Sequence, residues 1–185
     1  MEYENGDVIM TKKEATALAA FASKNSGRPR LNGVRIDPDG CVIACDGTRI
    51  LAWQPSAPVE STPGTIHLSA LEAGIRAAKG GARIRITHAD GPVVEVDDLA
   101  IKGPAVTETF PPWRDVLPKK RRKGSEKIGI NPSLFTAVTK VRDAVSTRRP
   151  VAVVFDTGGA LDPVHAAVDG DGGTWTIIIM PMRVL

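Results

Sequence analysis

Aromatic side chains are scarce: three Trp, one Tyr and four Phe in 185 residues. A core must therefore be assembled from Ala, Val, Ile and Leu, within a hydrophobic fraction of 42%. Cysteine is almost absent, and Cys41 and Cys45 alone cannot form a disulfide framework. They lie four residues apart in what reads as a strand, so both point to one face, about 13 Å apart at some 3.3 Å per residue. That is too far for a disulfide, and they read as small core residues of a reduced, cytoplasmic protein. Three scattered histidines, His67, His88 and His165, offer no ligand spacing. No apolar run approaches the roughly 18 residues of a membrane span. The start, Met1 to Asp7, lacks the basic and apolar stretches of a signal peptide. Charge of one sign is lacking too: 24 Lys and Arg stand against 21 Asp and Glu, a net +3 that is compatible with nucleic acid without demonstrating it. Membrane, collagen-like, disulfide-framework and wholly disordered classes are excluded. The length suits one or two domains of about 100–200 residues.

What the chain does have is an internal repeat. Asp7 to Glu14 reads as a short strand running into a helix capped by Thr11 and Glu14, a reciprocal capping box. The device returns at Thr65 to Glu72, with Ser69 as cap. It returns again at Lys127 to Leu134, with Asn131 as cap and Pro132 at the first helical position. The caps at 11, 69 and 131 are spaced by 58 and 62 residues. Helices are expected from Lys12 to Lys24, from Ala70 to Lys79 before Gly80-Gly81, and from Pro132 to Ser146. Each is followed by three β-rich runs divided by turn residues such as Asp46-Gly47 and Gly158-Gly159. The fold class is thus α+β: three β-α-β-β-β modules with helices on one side of antiparallel sheets. The polar run from Pro118 to Ser125 is the clear linker, which divides the chain into a two-module domain (1–118), a basic linker (119–125) and a single module (126–185).

No enzyme constellation is present in the sequence. Gly170 to Gly173 reads as a hairpin turn with no helix after it, so it is not a phosphate loop. Asp156, Asp162, Asp169 and Asp171 cluster near loops, but neither a metal site nor a Ser-His-Asp pattern follows from them. No cofactor is expected.

Three stretches resemble the bacterial sliding clamp, the beta subunit of DNA polymerase III. Arg28 to Val34, followed by Ala44 to Ala52, resembles the start of the clamp's middle domain. Phe110 to Pro118 resembles the end of that domain, and Ile178 to Val184, with its Met-Pro-Met-Arg, resembles the clamp's C-terminal tail. The resemblance covers roughly residues 7–185 but not a whole clamp. Two modules match the middle domain, and the third matches only the second half of the last domain.

The resemblance implies a DNA-clamp-like fold and a cleft that takes short hydrophobic motifs of polymerases, loaders and repair proteins. The implied cleft residues are Arg28, Leu31, Cys45, Gly47, Thr48, Arg49, Ile50, Pro111, Val116, Asn131, Leu134, Ile178, Ile179, Met180, Pro181, Met182 and Arg183. The apolar members would line a trough, methionines would adapt to several peptides, and the arginines would hold carbonyls or acidic flanks. Cys45 and Thr48 replace the family's usual Thr and His. Leu134 stands where Tyr is common, and Asp115 where a basic residue is usual. Double-stranded DNA is a second implied partner, through the helix cations Lys24, Arg76, Lys79, Lys140 and Arg142 and the linker cations Lys119, Lys120, Arg121, Arg122 and Lys123. These cations read equally as solvated faces. Other readings are a basic DNA-binding protein on a clamp scaffold, and a clamp antagonist that captures motif proteins without encircling DNA. The incomplete third module predicts a homodimer through third modules, ahead of a tetramer or a monomer in which the third module folds over the others.

Overall fold

The protein is described by a computed structural model that covers residues 1–57, 59–87, 91–117, 130–145, 153–156, 162–170 and 172–181. The linker cations 119–123, Met182, Arg183 and most of the third module's expected first strand lie outside the described residues.

The first module runs β2 (Asp7–Thr11), α1 (Lys12–Phe21), β3 (Gly33–Ile36), β4 (Val42–Cys45) and β5 (Arg49–Pro55). It is preceded by β1 (Glu2–Glu4). The second runs β6 (Gly64–His67), α2 (Leu68–Ala77), β7 (Arg83–Thr87), β8 (Val93–Val96) and β9 (Leu99–Lys102). The third has α3 (Phe135–Val145), β10 (Phe155–Asp156), β11 (Val164–Gly170) and β12 (Gly173–Ile179).

The expected α+β architecture is present. A five-stranded sheet has the order β1-β2-β7-β8-β9 and a seven-stranded sheet the order β10-β11-β12-β5-β4-β3-β6, with every pairing antiparallel. Modules one and two exchange their first strands. β2 joins the second module's strands, and β6 joins the first's. Neither module has a complete sheet alone. The third module attaches through β12, which pairs with β5 from Gly173↔Pro55 to Ile179↔Arg49. Gly173 is needed there, because a Cβ would lie 2.3 Å from the Gln54 carbonyl oxygen.

The main core lies between the helices and the inner faces of both sheets. It includes Leu18, Phe21, Leu51, Trp53, Leu71, Ile84, Val141, Trp175 and Ile177. The apolar face of α3 belongs to it: Val138 and Val141 are buried, and Leu134 and Val145 pack against the same cluster. That face is used inside the chain and is not free for self-association.

Local differences from the sequence expectation have simple causes. Thr11 does cap α1, accepting from the Glu14 N–H at 3.3 Å while Glu14 returns a bond to the Thr11 N–H at 2.7 Å. The second helix starts at Leu68, not Ala70, because His67 is the cap and its Nδ1 accepts from the Ser69 N–H at 3.2 Å. Asn131 caps a 3₁₀ turn, Pro132–Leu134, ahead of α3. β1 was not legible, since Glu-Tyr-Glu has only one side chain suited to a buried face.

Candidate functional site

The outer face of the seven-stranded sheet carries a second apolar cluster, separate from the main core. Alternation along the strands creates it. In β4 and β5, Val42, Ala44, Leu51 and Trp53 face the helices, while Ile43, Cys45, Ile50 and Ala52 face outward beside Cys41. Leu31 and Ile178 complete the floor. The segment after β9 crosses this face and covers it with Trp113, and Phe110, Val116 and Leu117 of the same segment pack against the cluster. The indole N–H of Trp113 donates to Asp37 at 3.3 Å. The Arg114 guanidinium stacks 4.5 Å from the Trp113 ring and donates to Asp37 and Asp39 at 2.8 and 2.6 Å. Both cysteines are free and buried. Burial pushes the Cys41 thiol up to about 12, and burial raises Cys45 as well, so both are protonated apolar fillers at neutral pH.

The β4–β5 turn forms one rim. Its hub is Asp46, a residue not singled out from sequence. Oδ1 accepts from the Thr48 N–H and hydroxyl at 2.8 and 2.7 Å and from the Arg49 N–H at 2.9 Å. Oδ2 accepts from the Arg49 Nε at 2.9 Å. Burial pushes the Asp46 carboxyl up, but the bonds from Thr48 and Arg49 outweigh it and hold the group below the ordinary carboxylate value. Arg49 also donates to the Ala20 carbonyl at 3.2 Å and lies 5.2 Å from the Phe21 ring centre. Gly47 has φ +93°, and Arg28 lies over it, donating to the Asp46 carbonyl at 3.2 Å. The Met180 N–H donates to the Thr48 carbonyl at 2.9 Å, which ties the end of the third module to this turn.

Of the sequence-predicted cleft residues, the structure brings together Arg28, Leu31, Cys45, Gly47, Thr48, Arg49, Ile50, Val116, Ile178 and Met180 around this face and turn. Pro181 follows Met180 and is half-buried. Ile179 is a correction. It alternates with Ile178 and is fully buried in the helix-side core, so it cannot line an outer trough. Leu134 packs with the same helix-side core, not with the outer cluster. Asn131 is exposed, and its carboxamide oxygen is occupied in capping by Ser133 N–H and hydroxyl at 3.0 and 2.9 Å. Pro111 lines a cavity of about 420 Å³ along the covering segment, with Arg35, Asp37, Phe110, Trp113 and Arg114. Of the predicted DNA contacts, Arg76, Lys79 and Lys140 are exposed, while Lys24 pairs with Glu72 at 3.2 Å and Arg142 with Asp143 at 2.6 Å. Among the described residues, no group of His, Cys, Asp and Glu could hold a metal ion, and no helix is long and apolar enough to cross a membrane.

No protein-family model matches the sequence, and no curated protein matches it. Solved structures do. A DNA polymerase III subunit beta from Borrelia burgdorferi, solved with a natural product, superposes with a TM-score of 0.74 at 14% identity, covering all of this chain and 65% of that one. This chain has the sliding-clamp fold. The Thermotoga maritima beta subunit superposes with a TM-score of 0.66 at 12% identity, and the Helicobacter pylori beta clamp bound to a DNA ligase peptide with 0.69 at 12%. Each covers the whole chain, which spans only 65–68% of these clamps' own lengths. The likeness extends over the whole of this chain and about two thirds of each of those clamps.

Proposed function

We propose that this clamp-like protein is a non-enzymatic adaptor. On this reading, the outer face of the seven-stranded sheet takes short hydrophobic clamp-binding motifs of DNA replication or repair proteins. The observation that carries it is the meeting of Leu31 and Ile50 from the first module with Ile178 from the third, in one outward apolar cluster beside the anchored Asp46–Arg49 turn. The peptide-bound Helicobacter pylori clamp supports the reading by likeness of fold. Met180 is half-buried at the rim and suits a site that adapts to several sequences. Double-stranded DNA is the second partner in this proposal, met through the exposed helix cations Arg76, Lys79 and Lys140, in a processivity role. Association through third modules would cover β10, beside which Val154 is 70% exposed next to the edge-to-face pair Phe135 and Phe155.

The test is a titration with a labelled DNA ligase peptide of the clamp-binding type, against the whole protein and its Met180→Ala variant. Truncating a buried Met costs about 2–5 kcal/mol in a core and less in an open cleft, so binding should weaken by several fold. Unchanged affinity with an unchanged circular dichroism spectrum overturns the site.

A further inference from the structure

The segment that follows β9 is held differently from the rest of the chain. It is moored at both ends. Gly103 lies so close to the start of α2 that a Cβ there would be 3.0 Å from the Ala70 Cβ and 3.1 Å from that of His67. Val116 and Leu117 pack on the outer apolar cluster at the other end. Between these moorings, residues 103–112 contain no helix or strand. Pro104, Pro111 and Pro112 lack the N–H that pairing with a strand would use. The backbone bonds of the segment are local turns, from the Trp113 N–H to Pro111 and from the Leu117 N–H to Arg114. Among the described residues, no backbone bond joins it to the sheet beneath.

Its middle is pinned at one place. Asp37, at the exit of β3, accepts from the Trp113 indole and from Arg114, and Asp39 takes the second arm of Arg114. The Asp37 N–H donates to the Cys41 carbonyl at 2.9 Å, so the pin lies at the Cys41 end of the apolar face. Ile178 joins at the other end, in the rung Cys45, Ile50, Ile178. Trp113 is buried, whereas Pro112 and Arg114 on either side of it are exposed. Beside the indole the segment does not lie flat on the sheet. Residues 106–114 face Arg35 and Asp37 across the cavity of about 420 Å³.

We infer that residues 104–115 form a strap, latched at Asp37, that lifts from the outer face as a unit while both sheets and the helix-side core stay folded. Partial opening of this kind occurs where few backbone bonds and few buried apolar groups have to be given up. Here no backbone bond to the sheet is lost, and the buried apolar group is one indole, with half-buried Phe110 and Pro111 beside it. Cys41, Ile43 and Cys45 alternate outward along one line of the sheet. Lifting the strap frees Cys41 and Ile43, which continue the row that begins with Cys45, Ile50 and Ile178. The latch therefore sets the length of apolar face that the chain offers. The inference concerns the chain alone and does not depend on the peptide reading. Cys41 reports the opening, because it is fully buried under the closed strap and its thiol reacts only when uncovered.

Modification of the two thiols by iodoacetamide, followed site by site by mass spectrometry, tests this on the whole protein, beside urea unfolding followed by circular dichroism. Modification of Cys41 should proceed at a rate that low urea barely changes, whereas global unfolding depends on urea steeply. Asp37→Asn should speed it by about tenfold or more, with the circular dichroism unchanged and Cys45 within about twofold of the parent. Arg114→Gln keeps the indole bond to Asp37 and should give a smaller increase, of about threefold. Arg35→Gln removes an Asp37 ion pair that does not involve the strap, at 3.3 Å, and should leave Cys41 as in the parent. If Asp37→Asn does not fold, the contrast between Arg114→Gln and Arg35→Gln decides. Cys41 modification with the urea dependence of global unfolding overturns the inference. So does equal acceleration of Cys41 and Cys45, which would assign the opening to β4 itself. A Cys41 rate that neither Asp37→Asn nor Arg114→Gln changes overturns it as well.

Discussion

The two sheets of this protein have the same antiparallel build and share one helix-side core, yet their outer faces differ. The five-stranded sheet turns Arg83, Arg85 and Glu95 outward, with Glu2, Glu4 and Asp7 beside them. Arg83 pairs with Glu2, and Arg85 with Glu4 and with Asp7, the last at 3.2 Å. The seven-stranded sheet turns Cys41, Ile43, Cys45, Ile50, Ala52 and Ile178 outward and draws Trp113 across them. A sheet of this fold is stable with a charged, water-facing outer surface. The apolar outer face is therefore not demanded by folding of the sheet. It is a surface maintained for covering, part by the chain's own segment 103–117 and part, in our proposal, by a peptide.

Three substitutions sharpen this contrast. The largest effect should come from Trp113→Ala. It removes the cover of the apolar face together with the Asp37 hydrogen bond and the Arg114 stack, and should destabilise the protein by about 3–5 kcal/mol in denaturant unfolding. A loss below about 1 kcal/mol would show that the cover is not structural.

A smaller, pH-dependent effect should come from Asp46→Asn. The Asp46 pKa is lowered on folding, so its contribution is fully present above the ordinary carboxylate value and is lost as pH falls through the lowered one. Melting temperatures followed from about pH 6 down to about pH 2 should fall less steeply in the variant than in the parent. Parallel curves would remove Asp46 from its place as hub of the turn. The smallest effect should come from Arg85→Gln on the charged sheet. Its ion pairs are solvent-exposed, and the melting temperature and peptide affinity should both stay as in the parent.

Much of this fold was legible because it repeats. Cap, helix and three strands recur, and the caps Thr11 and Asn131 are the ones observed. The strand exchange between modules was not legible, because hydrophobic periodicity reports a strand's faces and not its neighbours. The candidate site rests on its resemblance to a known cleft, and resemblance selects positions and not orientations. Ile178 and Ile179 were read together, and strand alternation sends them to opposite faces. In β5, the run Ile50 to Trp53 is apolar throughout because both faces are buried, and such a run conceals which residues face outward. Asp46 was passed over because an Asp-Gly pair reads as an ordinary hairpin turn. Its four accepted hydrogen bonds and its ion pair with Arg49 are visible only in three dimensions.

The β5–β12 joint also has a consequence for how the molecule forms. It pairs residues more than a hundred positions apart, from Arg49 with Ile179 to Pro55 with Gly173, whereas β3 with β4 and β11 with β12 close over short turns. Loop-closure entropy must be overcome before such distant strands gain any contact energy, so the local hairpins zip first and the long-range joint last. Ile178 reaches Leu31 and Ile50 only through that joint. The outer apolar face is therefore completed last: the β4–β5 hairpin already carries Ile43, Cys45, Ile50 and Ala52, and only the late joint adds Ile178.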